Sequence, residues 1–165
     1  MNQKNSHEFL IEQENELRTL ISSMQIERFL ISFNLYFSNR PNTSDTLLFK
    51  AVALLCYLSM KRNVEFYELL QSIQQEDLSN ANIQFVLRLC ECMSHYDTEA
   101  LRKLYDACGN DFKNIMKIIL DNVMDNTEST LKQDIRSGNG EYPVKNSHLE
   151  DIKDTIFFIK NFAGN

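Results

Sequence analysis

The sequence predicts an all-α protein built from antiparallel helix pairs. Three observations carry that expectation. Only four glycines and two prolines punctuate the 165 residues, which leaves few places for β-turns. Apolar residues recur at helical spacing along most of the chain. Short polar joints separate the apolar runs, the clearest being "KRN" inside "LLCYLSMKRNVEFYELLQSI". One helix pair cannot bury both of its faces, whereas stacked pairs can. The pairs are therefore expected to stack as a TPR/HEAT-like right-handed superhelix. No motif recurs at a strict period, so any repeat is degenerate.

Each element can be justified in order. The first helix is expected over residues 9–24, with Phe9, Leu10, Leu17, Leu20 and Ile21 on one face. The second, "IERFLISFNLYF", carries a wide stripe of Ile26, Phe29, Leu30, Phe33, Tyr36 and Phe37. It stops at "SNRPNTSD", where Pro41 cannot continue a helix and Thr43 or Ser44 can cap the next. The third helix, residues 45–61, is apolar almost all round, which means contacts on several sides. Asn63 is the expected cap of a fourth helix carrying Val64, Phe66, Leu69, Leu70 and Ile73. Ser79 or Asn80 starts the fifth, with Ile83, Val86, Leu87, Leu89 and Met93. Asp97 caps a short sixth helix over residues 98–107, with Leu101, Leu104 and Tyr105 on its apolar face, and Gly109 is expected as its left-handed stop. Asp111 opens a long seventh helix with Phe112, Ile115, Ile118, Ile119 and Val123 on one face. The residues divide into a helical-repeat region, 1–135, a glycine-bearing loop, 136–146, and a last segment, 147–165. Ser147 and Glu150 there have capping-box spacing, so an eighth helix, or a helix and a strand, follows.

Composition disfavours several function classes. The net charge is −6 and Lys and Arg form no block, which argues against a duplex nucleic-acid binder. No run reaches the roughly 18 apolar residues of a membrane span; the longest, "LLFKAVALLCYLSM", is interrupted by Lys50. The polar N-terminus lacks an apolar core, so no secretory leader is expected, and four cysteines without one point to free thiols in a reducing compartment.

Candidate chemistry is sparse. Cys90, Cys92 and His95 look like a fragment of a metal site, but residues two apart on a helix face away from each other. Small apolar positions near the core are the simpler reading, and no metal or cofactor is expected. His7, His95 and His148 fall in different elements, so nothing assembles a Cys–His nucleophile. "SGNGE" has two glycines but no following Lys or Ser/Thr and no preceding strand, which makes it a connector rather than a phosphate cradle. No constellation for catalysis is apparent, and no enzyme is expected.

Four stretches within residues 26–131 carry a family likeness. They are "IERFLISFNLYF", "LLCYLSMKRNVEFYELLQSI", "FVLRLCECMSHYDTEALRKLY" with Tyr96 as a shared aromatic, and "IMKIILDNVMDNTESTL". Their order and spacing resemble the small PCI-domain subunits of the proteasome lid, of the non-ATPase regulatory subunit eight type. That family is related to small subunits of the signalosome and of initiation factor three. Cys90 stands where the family tends to have an aromatic, and Asn122 and Met124 replace an Arg-x-Glu pattern, as in a divergent member. "YPVKNSHLEDIKDTIFFI" resembles the start of the family's winged-helix module, which would be shortened here.

The resemblance implies a non-catalytic scaffold of the regulatory-particle lid, in the cytoplasm and nucleus, acting in ubiquitin-dependent degradation. Its implied partners are other lid subunits and the ATPase-ring base. The expected interface residues are Phe66, Tyr67, Tyr96, Phe157 and Phe158. The all-round apolarity of the third helix motivates a further expectation, that apolar surface remains exposed at Phe66, Tyr67, Phe157 and Phe158. Three readings compete with the lid: a sister PCI complex, a free-standing helical-repeat adaptor with a polar groove, and an enzyme with a metal at Cys90, Cys92 and His95.

Overall fold

The structure is a computed structural model that describes the backbone of residues 3–39, 41–95 and 97–137, and within them the side chains of residues 8–124. The regular secondary structure of the described residues is all helical, with no strand among them. The helices are α1 (Gln3–Ser22), α2 (Ile26–Ser38), α3 (Thr46–Ser59), α4 (Asn63–Gln71), α5 (Ala81–Ser94), α6 (Thr98–Ala107) and α7 (Asn110–Ser137). A 3-10 turn, Gln75–Ser79, which the sequence did not signal, joins α4 to α5. Residues 138–165, with most of the expected connector and all of the expected winged-helix segment, lie outside the described residues.

α3 is the centre of the fold. Residues 49–59 are all buried, and α2, α4, α5 and α7 pack around them. Its all-round apolarity is thus satisfied inside the chain. The one charge in this run, Lys50, lays its stem along the core and holds its Nζ 5.2 Å from the centre of the Phe37 ring.

Four helices close a ring: α3 against α5, α5 against α6, α6 against α7, and α7 back against α3. α7 buries Phe112, Ile115, Met116 and Ile119, one stripe at helical spacing. It runs parallel to α3. Its start lies near Arg18 and Asp45, since the Asp111 charge acts on Arg18. Twelve residues along, the Asn122 Nδ2 donates to the carbonyl of Ser59 at the far end of α3 (3.2 Å). Phe85 of α5 stacks on Phe112 with ring centroids 5.0 Å apart. The Lys113 Nζ donates to the Tyr105 carbonyl at 2.5 Å, which fixes the end of α6 to the start of α7.

The helix pairs share one backbone device. After α1, α3 and α5 a backbone N–H reaches back five residues: Gln25 to the Leu20 carbonyl (3.0 Å), Arg62 to Tyr57 (2.9 Å) and Asp97 to Cys92 (3.0 Å). In the first two joints Met24 and Lys61 take left-handed φ values of 56° and 57°, closing Schellman motifs without glycine.

Several expected caps are placed differently. Asn80 and Asp97 do cap α5 and α6, each side chain accepting a backbone N–H, from Asn82 and Ala100 respectively, at 2.9 Å. Asn63 instead begins α4, and Arg62 occupies the cap position with its guanidinium on the Glu65 carboxylate. Gly109 is outside the left-handed region; extended Cys108 ends α6, and the Gly109 carbonyl accepts the Phe112 and Lys113 N–H groups that open α7. Thr43 and Ser44 do not cap α3, whose cap position is Asp45. Thr43 serves a polar cluster: its hydroxyl donates to the Glu14 Oε1 at 2.5 Å, and the Tyr36 hydroxyl donates to the same oxygen at 2.8 Å. Thr43 and Thr46 stand 3.1 and 3.2 Å from the Tyr36 hydroxyl, so one cluster ties α1, α2 and the start of α3 together.

Candidate docking surfaces

Phe66 does not lie on the surface. It is only 2 % exposed, because it shares a stripe with Leu69, Leu70 and Ile73 that turns toward the core. Its neighbour Tyr67 is half-buried, the two rings meeting edge-on at 5.7 Å. The expected exposure at Phe66 is therefore corrected: the stripe that made α4 amphipathic is the stripe the fold consumes. Tyr96, Phe157 and Phe158 lie outside the described residues.

The exposed large apolar side chains are elsewhere. Ile31 and Leu35 on α2, Phe9 and Ile11 on α1, and Met60 and Val64 at the α3–α4 joint stand in solvent. Phe9 was expected on the inner face of the first helix; Leu17, Leu20 and Ile21 occupy that face instead, with Leu10 beside them. The signal for Ile31 and Leu35 was present in the sequence. Both fall opposite the stripe of Phe29, Leu30 and Phe33 at 3.6 residues per turn.

A groove of about 550 Å³ lies between α5 and α6, lined among others by Arg88, Glu91, Cys92, His95, Asp97 and Lys103. Helical spacing separates the two cysteines as expected. Cys92 reaches this groove beside His95, while Cys90 is fully buried on the core side. Burial pushes the Cys90 thiol up to about 12. The Cys92 thiol is also raised, by burial first and then by the Asp97 and Glu91 charges. Both shifts keep the sulfurs protonated at neutral pH, the opposite of what a thiolate nucleophile requires. Among the described residues no three His, Cys, Asp or Glu side chains converge as metal ligands. His7 lies in α1, and His148 is outside the described residues. Among the described residues no helix is long and apolar enough to cross a membrane.

Compared with family models, with curated proteins and with solved structures, the chain matches none.

Proposed function

We propose that this chain is a non-catalytic scaffold subunit of the proteasome regulatory-particle lid, a divergent member of the PCI family. It acts in ubiquitin-dependent protein degradation, in cytoplasm and nucleus, through contacts with other lid subunits and the ATPase-ring base. The observation that carries this reading is the recurring helix-pair joint. The closing N–H groups belong to Gln25, Arg62 and Asp97, so the same backbone closure returns after 37 and then 35 residues. That spacing is what a degenerate helix-pair repeat produces, and it favours the TPR/HEAT-like superhelix that precedes a winged helix in the family. Two of the three joints fall inside the stretches on which the resemblance rests. On this reading residues 147–165 belong to the winged-helix segment.

The α5–α6 groove favours a second reading, a free-standing helical-repeat adaptor that holds a peptide among charged side chains. Affinity purification of the full-length chain from its own cells, read by mass spectrometry, separates the readings. Lid and ATPase-ring subunits in stoichiometric amount are the expected result. Signalosome or initiation-factor subunits would keep the scaffold role and move it to a sister assembly. Recovery of a single unrelated protein, lost when Arg88 and Lys103 are changed to alanine, would select the adaptor.

A further inference from the structure

The first helix pair carries an apolar face that the core does not use. On α2, Ile31 is 71 % and Leu35 62 % exposed, and on α1 Phe9 is 53 % exposed. The Ser32 hydroxyl donates to the Glu16 Oε1 at 3.2 Å and marks the outer seam between the two helices. Glu16 and Phe9 lie seven residues apart, on one face of α1. Ser32 lies three residues before Leu35, and Ile31 four before it, so these share a face of α2. The helices run antiparallel, so the path from Glu16 to Phe9 on α1 follows the path from Ser32 past Leu35 on α2. Phe9, Leu35 and Ile31 therefore fall on one outer face.

Among the described residues the charges around this face are mainly negative. Glu12, Glu16 and Glu27 are exposed beside it. Arg28, a described cation nearby, donates a guanidinium N–H to the neutral Gln25 Oε1 at 2.8 Å and keeps its charge, one against three carboxylates. Arg18 sits on the opposite side of α1, where it pairs with Asp45 at 2.6 Å.

We infer that this face docks one amphipathic helix of another protein, with an apolar stripe flanked by lysine or arginine. The face is about two turns long and carries three large apolar side chains, which suits a single helix laid along the seam rather than a broad subunit interface. The acidic rim selects a basic partner and speeds its approach, while it repels the anionic surface of a membrane leaflet. The surface is distinct from the α5–α6 groove, and its chemistry does not depend on which assembly the scaffold joins.

Fluorescence anisotropy of the full-length chain with two labelled synthetic helices tests this. One helix is built of Leu and Lys and the other of Leu and Glu, each with the same apolar stripe. The Leu/Lys helix is expected to bind at least about tenfold more tightly than the Leu/Glu helix. That preference should shrink with added salt and in a Glu12→Gln/Glu16→Gln variant. The double variant Ile31→Ser/Leu35→Ser should lose about tenfold in affinity for the Leu/Lys helix while its helical circular dichroism and melting stay unchanged. Equal binding of the two helices, or undiminished binding by the Ile31→Ser/Leu35→Ser variant, would overturn the inference. So would sedimentation showing a dimer of the unmodified chain that this variant converts to monomer, since the face would then serve a second copy.

Discussion

Lys61 holds a left-handed backbone at the α3–α4 joint although it has a Cβ. Its side chain is exposed, so a glycine there would lose little packing. Lys61→Gly should therefore stabilise the chain by about 0.5–1 kcal/mol, seen as a higher urea midpoint at unchanged slope. Met24 has the same φ but packs against the core, so Met24→Gly exchanges relieved strain for lost contacts and should bring no such gain. The buried thiols give a pH prediction. Burial raises Cys56 and Cys90 from an ordinary value of 9 to about 12. A group whose folded pKa is raised contributes stability that is complete below its unfolded pKa and is lost as pH rises toward the folded one. Stability should thus fall from about pH 9 upward. Tyr36, raised mainly by burial, adds to the loss above its own ordinary value of 10. A Cys56→Ala/Cys90→Ala variant should be less stable at pH 7 through lost packing, yet decline less steeply between pH 9 and 11 in denaturant titrations. A steeper or equal decline would show that other groups control the alkaline limit.

At the scale of elements, α3 and α2 make opposite demands on leucine. Leu54 is fully buried at the centre of α3, so Leu54→Ala should cost about 2–5 kcal/mol. Leu35, on the outer face of α2, should tolerate alanine within about 0.5 kcal/mol. Equilibrium unfolding of both variants checks the contrast; similar costs would mean that Leu35 is packed rather than exposed. Such faces were largely readable from periodicity. The buried stripes of α2, α4, α5 and α6, and the Asn80 and Asp97 caps, follow from apolar spacing and from side chains that can accept a backbone N–H. Other features were hidden for physical reasons. The left-handed joints sit at Met24 and Lys61, where composition offers no glycine, while the one glycine expected there, Gly109, stays out of that region. Phe66 misled because an aromatic beside a polar joint reads as surface until the partner helix is known. The polar cluster on Glu14 joins residues up to 29 apart, and no local pattern announces it.

At the scale of the whole molecule, α7 returns to pack against α3, far back along the chain. In an open stack each pair touches only its neighbours, so removing the last element leaves the rest folded. Here the Asn122 to Ser59 hydrogen bond spans 63 residues, and the α7 stripe of Phe112, Ile115, Met116 and Ile119 covers part of the ring around α3. A chain ending at residue 108 would uncover apolar side of α3 and α5 and leave the half-buried ring of Phe85 without its partner Phe112. It should lose the single cooperative transition and bind a hydrophobic dye such as ANS, whereas a chain ending at residue 137 should keep one transition. Retention of a sharp transition by the shorter chain would show that α1–α6 stand alone, with α7 an appendage. Loss of it would make α7 the element that closes the fold, part of one cooperative unit with α1–α6.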